Sequence, residues 1–207
     1  MNRRVQASQK RQRLTAAAAR VLHEQGVERT TLADIAREAE VPVGNVYYYF
    51  KTKDELVQAA LSEHSAHLDE LTGRLEELAD PRDRLKALVE AWVDQRDVAA
   101  RYGCPTGTLA VELDKRADGT LDAEAGVVIR RLLDWTGCQF RELGLPDPDD
   151  LALTLVSGYQ GMSLLANALR DPDIMIRQGG RLLRWLDSLQ APISSSDRRS
   201  GSRSSAS

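Results

Sequence analysis

The sequence lacks the features that mark secreted and membrane proteins. Its 207 residues include two cysteines, Cys104 and Cys138, whose spacing forms neither a disulfide framework nor a metal-binding pattern. No run of about 18 apolar residues occurs, which argues against a membrane span, and the first residues lack the apolar segment of a secretory signal. We therefore expect a cytoplasmic protein with no cofactor, no bound metal and no membrane partner.

Acidic residues are absent from one end of the chain. The first twenty residues hold six Arg and Lys and no Asp or Glu. Residues 1–60 hold ten basic residues against seven acidic ones, whereas residues 61–190 hold 15 against 23. A basic head on an acidic body can present a local positive surface to nucleic acid although the net charge is −3. The alternative is a solvated basic arm.

The hydrophobic spacing predicts helices along the whole chain and no strands. Residues 8–25 place apolar side chains at helical spacing. Thr31, with Asp34 three residues later, predicts a capping box at the start of a second helix. Pro42 ends that helix, and residues 43–50 form a third. A supporting helix followed by two short helices and a tight turn predicts a helix-turn-helix unit.

Aromatic residues make up only 5% of the chain, yet three of its five tyrosines stand together in the predicted third helix, at positions 47 to 49. Successive side chains on a helix point about 100° apart, so at least one of these tyrosines faces outward. We expect Val46 and Phe50 to pack in the core. An exposed helix with small residues and tyrosines suits contact with a phosphate backbone.

A resemblance to a known family rests on three stretches: Thr-Leu-Ala-Asp-Ile-Ala at 31–36, Val41, and Gly-Asn-Val-Tyr-Tyr-Tyr-Phe-Lys-Thr-Lys-Asp-Glu-Leu at 44–56. Together they resemble the DNA-binding domain of the TetR/AcrR family of bacterial transcriptional regulators, over about residues 9–60. The resemblance implies an all-α fold, with a three-helix helix-turn-helix domain and a larger helical domain for ligand binding and dimerisation. It implies that DNA is contacted by Thr31, Gly44, Tyr47, Tyr48 and Lys53.

The chemistry of these positions suits DNA independently of the family. Thr31 offers a hydroxyl or an N–H to a phosphate, Gly44 allows close approach, and Asn45 can pair with adenine. Tyr49 either contacts DNA or packs in the core. The candidate DNA-binding residues are Thr31, Val43, Gly44, Asn45, Tyr47, Tyr48, Tyr49 and Lys53.

Two positions depart from the family's pattern. Glu40 stands where Gly is common, and we expect it to adopt a left-handed backbone at a cost of about 1 kcal/mol or more. Pro42 stands where Ser is common, and it replaces a side-chain cap with a fixed φ.

Beyond the predicted head, a fourth helix over residues 53–78 connects it to the body, with His64 and His67 expected to be exposed to solvent. Asp-Pro pairs at 80, 147 and 171 each predict a helix start, and the first of these helices is expected to reach about residue 100. We divide the chain into a DNA-binding domain over 1–52, an effector-binding and dimerisation domain over 53–190, and a Ser-rich disordered tail over 191–207.

The segment from Tyr102 to Leu113 resembles a motif in a subset of the same family, including regulators of the LmrA/YxaF type. Cys104, in this segment, precedes a predicted helix, so it is either a reactive thiol or a buried, inert residue. We favour the inert role because no His or Asn motif accompanies it. The candidate effector-binding residues are Trp92, Tyr102, Cys104, Leu109, Trp135, Phe140, Tyr159 and Met162.

One recognition helix buries little surface, so useful affinity needs a second copy about one turn of DNA away. We therefore expect a homodimer on a palindromic double-stranded DNA operator, joined through the last two long helices. The predicted function is a repressor released by a small apolar or aromatic effector, with the fourth helix transmitting the change. The alternatives are a nonspecific DNA-architectural protein and, less favoured, a helical enzyme using Cys104.

Overall fold

The computed structural model describes residues 3–115 and 121–190, so the tail predicted over 191–207 lies outside the described residues. Within these ranges every regular element is a helix, as predicted. The helices are α1 (Arg3–Gln25), α2 (Leu32–Glu38), α3 (Val43–Tyr49), α4 (Lys53–Leu75), α5 (Pro81–Asp94), α6 (Arg96–Tyr102), α7 (Pro105–Asp114), α8 (Leu121–Glu142), α9 (Pro148–Leu169) and α10 (Asp173–Ser188). No described helix combines the length and the hydropathy that crossing a membrane requires.

The first three helices begin and end where the sequence predicts, apart from an earlier start of α1. Gly26, at φ +80°, stops α1. The capping box of α2 is complete, since the Thr31 hydroxyl accepts from the Asp34 N–H and the Asp34 carboxylate accepts from the Thr31 N–H. α3 follows Pro42, which caps it without a side-chain hydrogen bond.

The core beneath α3 extends well beyond residue 52. Val46 of α3 is fully buried in it, together with Leu56 of α4. Two leucines of α7, Leu109 and Leu113, and Ala125 of α8 are buried in the same cluster. The helix-turn-helix unit is therefore packed against α7 and the start of α8 as well as against its own helices.

A second core fills the body. α8 packs along α9, and α10 packs against α5 and α9. α5 and α10 approach so closely at Gly179 that a Cβ there would lie 2.3 Å from a methyl carbon of Val93. Arg82 of α5 donates to the Leu189 carbonyl oxygen at 2.8 Å and to that of Leu186, which satisfies the free carbonyls at the end of α10.

The helix predicted from residue 81 to about 100 is wrong as a single element. α5 ends at Asp94 and α6 begins at Arg96, because Gln95 leaves the helical backbone at ψ +10°. No Gly or Pro marks this break, and it turns α6 onto α9, where Ala99 and Ala100 are buried. The break coincides with the packing of α6 on α9, which is a tertiary contact that the local sequence does not predict.

The three Asp-Pro pairs start helices, but only the first acts as predicted. Asp80 accepts from the Arg82 N–H at 2.8 Å. Asp147 adopts a left-handed backbone (φ +52°) and makes no side-chain cap. At the third pair Pro172 is itself the cap residue, so α10 begins one residue later, with Asp171 accepting from the Asp173 N–H at 3.0 Å.

The expected exposure of His64 is wrong, whereas His67 is exposed as predicted. His64 is half-buried because α1 packs along α4. Burial, together with the neighbouring His23 and His67, lowers its pKa to about 4. His64 is therefore neutral at pH 7 and forms part of the junction between the head and the body.

Candidate DNA-binding surface and effector site

α3 presents one face to the core and the opposite face to solvent. Val46 is fully buried and Phe50, its C-terminal cap, is 2% exposed. Val43, Tyr47 and Tyr48 are 44%, 52% and 74% exposed. Because positions 43, 44, 47 and 48 recur at helical spacing, they form a single outward face. The structure thus brings together four of the eight predicted DNA-binding residues on this face.

Neither packing nor backbone conformation within the described residues requires a glycine at position 44. It is exposed, and a Cβ built there would meet no atom within 4 Å among the described residues. Its backbone is helical, so no positive φ requires it. A smooth surface at this point is what a closely approaching groove floor requires.

The other polar positions on α3 are less exposed. Asn45 is half-buried, at the edge of the outward face. Tyr49 is half-buried against the core, with its ring edge-on to that of Tyr48 at a centroid distance of 5.0 Å. Packing is therefore the role that the structure gives Tyr49 in the free protein.

The donors of Thr31 are already in use. Its hydroxyl donates to the Asp34 carboxylate at 2.6 Å, and its N–H donates to the same oxygen at 3.0 Å. These hydrogen bonds lower the pKa of Asp34 below its ordinary value. A phosphate at this position has to share these donors with Asp34.

Lysines lie at the C-terminal end of α3. The Lys53 ammonium donates to the Glu28 carbonyl oxygen at 3.2 Å, which ties α4 to the loop after α1. Lys51, which sequence reasoning did not select, is exposed and donates to the Tyr47 carbonyl oxygen at 2.7 Å. The sequence signal that could have identified Lys51 as a DNA-binding candidate is its position shortly after the tyrosines of α3.

The turn between α2 and α3, which sets the orientation of α3, is hydrogen-bonded by a side chain of α1. Glu40 has φ +51°, the left-handed backbone predicted for it. The Arg13 guanidinium donates to the carbonyl oxygens of Ala39 and Glu40, and to the Glu40 carboxylate at 3.3 Å. Arg11 lies over the Phe50 ring at 5.4 Å. Sequence reasoning missed these roles, which belong to two cations of the basic head.

Four of the candidate effector residues converge where α5, the α6–α7 corner and α9 meet. Trp92 stacks on Tyr159 with ring centroids 4.3 Å apart and planes 16° apart. The Tyr159 side chain lies beside Cys104, and burial raises the pKa of this phenol well above its ordinary value. Cys104 is buried. Tyr102 is half-buried, edge-on to His23 at 5.7 Å.

A further residue at this cluster, Gln160, was not selected from the sequence. Its side-chain amide donates to the sulfur of Cys104 at 3.6 Å, and the Gly107 N–H donates to the same sulfur at 3.4 Å. A Cβ at Gly107 would lie only 2.5 Å from the amide oxygen of Gln160. A side chain at position 107 would therefore displace the Gln160 amide from this place.

The remaining candidates lie in different surroundings. Met162 is buried in the body core, as is Phe140, whose ring meets Trp185 at 5.9 Å. Trp135 donates its indole N–H to Glu76 at 3.0 Å. Leu109 belongs to the core beneath α3. Their roles in effector binding stay predictions.

An outward-facing helix with paired tyrosines, carried on a three-helix unit and packed against a helical body, defines a helix-turn-helix DNA-binding regulator. The family model described as bacterial regulatory proteins, tetR family, matches residues 14–60. An HTH-type transcriptional regulator of Mycobacterium tuberculosis is 30% identical over 189 residues, covering 84% of this chain and 93% of the relative. The chain belongs to the TetR family.

Two further similarities differ in how much of the chain they cover. The regulator TtgR of Pseudomonas putida is 48% identical over 63 residues, 30% of each chain. The solved regulatory protein TetR from Rhodobacter sphaeroides is 27% identical, with a TM-score of 0.72 over 84% of this chain and 96% of its own. One similarity is strong over a short stretch, and the other extends over nearly the whole fold.

We predict that Glu40→Gly stabilises the protein by about 1 kcal/mol, because glycine accepts the left-handed backbone without steric cost. The exposed ion pair with Arg13 that is lost contributes little. The measurement is urea-induced unfolding. Glu38→Gly, two residues earlier and inside α2, is the matched control and should destabilise by about 1 kcal/mol. Destabilisation by both substitutions would contradict the strain at Glu40.

Proposed function

We propose that the protein is a cytoplasmic repressor that binds a palindromic operator as a homodimer and leaves it when a small, mostly apolar or aromatic effector binds. The observation that carries the DNA-binding part is the outward face of α3. Tyr47 and Tyr48 are exposed side by side, and their hydroxyls suit the phosphates that flank a groove.

The charges around α3 support the same role. Lys51 is exposed beside Tyr47, and Arg11 and Arg13 on α1 flank the two ends of α3 through their contacts with Phe50 and Glu40. Cations on both sides of an inserted helix can neutralise phosphates on both walls of a groove. These contacts support the proposal that the basic head predicted from the sequence contributes to DNA binding.

The double substitution of Tyr48→Ala with Lys53→Ala should weaken DNA binding across all sequences. Removing one phosphate-binding cation should also flatten the slope of log affinity against log salt by about one. Fluorescence anisotropy on operator and random duplexes at several salt concentrations measures both effects. Lys115→Ala, an exposed lysine in the body, is the control. Undiminished affinity places recognition elsewhere, and equal wild-type affinity for both duplexes favours the architectural alternative.

An exposed apolar face on α9 and α10 is the observation that supports a homodimer. α9 exposes several leucines, and α10 adds one large apolar side chain. These residues are Leu153, Leu164, Leu165, Leu169 and Ile176. Gly161, between them, has no atom within 4 Å of its Cβ position among the described residues. A second copy packing the same face would bury these side chains in a four-helix bundle, which supplies the two recognition helices that a palindrome requires.

Leu164→Glu should convert the dimer to a monomer, because two carboxylates would then face each other across the twofold axis without a counter-charge. Sedimentation equilibrium measures the mass. Leu78→Glu, at an exposed leucine between α4 and α5, is the control and should leave the mass unchanged. A variant at position 164 that remains dimeric at wild-type affinity would move the interface to another surface.

The structure offers a second route from the body to the head beside α4. α7 begins next to Cys104, at the cluster of candidate effector residues. Eight residues later, about 12 Å along the helix, the Glu112 carboxylate accepts from the Val27 N–H at 2.5 Å. Val27 follows α1 and is buried. We therefore propose that α7 transmits the effector signal together with α4.

Effector sensing predicts that compounds from a library of apolar and aromatic molecules release the labelled operator, measured by anisotropy. Glu112→Ala should still bind these compounds but release DNA at least about fivefold less, because a coupling energy of 1–3 kcal/mol depends on such contacts. Glu112→Gln retains an acceptor for the Val27 N–H and serves as the matched control. A library without any releasing compound removes the sensing role, and full release by the Ala variant removes α7 from the route.

A further inference from the structure

One buried hydroxyl in the body lacks a hydrogen bond. Ser163 of α9 is fully buried, and its Oγ has no partner within the described residues. A buried hydroxyl left unpaired costs roughly 1–3 kcal/mol, so native proteins almost always satisfy such groups. An unpaired hydroxyl in a packed helix therefore points to a ligand that pairs with it.

The position of Ser163 on α9 fixes where its hydroxyl points. On a helix with about 100° between residues, Ser163 lies between Tyr159, one turn before it, and Gln160. The Gln160 amide donates to the sulfur of Cys104, and the Tyr159 side chain lies beside the same residue. On the other side, Asn167 donates to the Ala100 carbonyl oxygen at 3.3 Å. Ser163 thus faces the α6–α7 corner at the centre of this polar group.

We propose that Ser163, Gln160 and Cys104 form the polar end of the effector site, and that the effector is an uncharged aromatic compound carrying a hydroxyl or carbonyl group. This inference rests on the proposed sensing function and deepens it. The stacked rings of Trp92 and Tyr159 provide the apolar wall against which an aromatic ring packs.

The polar groups in this cluster set the charge of the ligand. Ser163 and Gln160 have no ionisable group, so an ionised ligand would lose its hydration without gaining a counter-charge from them. Arg170, two turns along α9 from Ser163, donates instead to the carbonyl oxygens of Ala100 and Arg101. Its guanidinium is committed to the end of α6.

Gln160 provides the way in. It is half-buried, and its amide lies over Gly107 against the sulfur of Cys104. Rotation of this flexible side chain would free the donors of the amide for a ligand. The movement takes place at the first turn of α7, which is the end of the helix whose other end contacts Val27.

The experiment compares three probes of one shape by isothermal titration to the full chain: 1-naphthol, which is neutral and polar, naphthalene, which has no polar group, and 1-naphthoate, which is charged. We expect 1-naphthol to bind at least about tenfold more tightly than either of the others. Ser163→Ala should weaken 1-naphthol about fivefold to tenfold, the loss of one hydrogen bond, and leave naphthalene unchanged. Ser157→Ala, an exposed serine on α9, is the matched control.

A second measurement separates ligand binding from structure. Ser163→Ala should keep or raise the melting temperature of the free protein, because it removes an unpaired buried hydroxyl. A serine with a purely structural hydrogen bond would lower the melting temperature on substitution. Loss of stability together with unchanged naphthol affinity overturns the inference.

The remaining outcomes each decide a point. Absence of 1-naphthol binding, or 1-naphthoate binding as tight as that of 1-naphthol, overturns the inference. Selective 1-naphthol binding without release of operator DNA supports the site and contradicts the proposed sensing. Release of the operator by other compounds, with equal affinities in the Ser163→Ala and Ser157→Ala variants, supports sensing and overturns this site.

Discussion

The burial of Leu109 and Leu113 in the core beneath α3 is the constraint on which the rest of the structure depends. Fully burying one leucine contributes about 1.5–3 kcal/mol, so these two leucines hold α7 to the helix-turn-helix unit, although α4 packs against α1 more extensively. The first residues of the same helix contact Cys104 and Gln160 in the body. A rigid ten-residue helix therefore belongs to both parts of the molecule, and a displacement at one end is carried to the other.

Features of the fold that depend on neighbouring residues could be predicted from the sequence, whereas features that depend on packing between distant helices could not. The Thr31–Asp34 capping box and the stop at Gly26 follow from residues less than one turn apart, and the left-handed Glu40 follows from the family resemblance; all are present. The break at Gln95 and the half-burial of His64 follow from helices that pack from far along the chain. Periodicity assigns Leu109 to an apolar face, but only the tertiary fold decides that this face lies under α3.

The turn before α3 shows how a local cost is offset from a distance. Glu40 is the residue that departs from the family's pattern, and its backbone has the strain that the departure implies. The compensating donor, Arg13, lies 27 residues earlier on α1, so no local motif connects the two. An arginine that donates to two carbonyl oxygens fixes the turn in a way that lysine, with its single flexible ammonium, does not. The aim of α3 is thus set by α1.

The contact between Glu112 and Val27 has a magnitude suited to a switch. Leaving a buried N–H unpaired costs about 1–3 kcal/mol, which is the range of typical allosteric couplings and corresponds to changes of about 5- to 150-fold in affinity. A much stronger link would lock the two parts together, and a weaker one would not alter operator binding. In the proposed mechanism the effector shifts the equilibrium only by its differential affinity for the two states, so the hydrogen bonds around Cys104 would have to differ between those states.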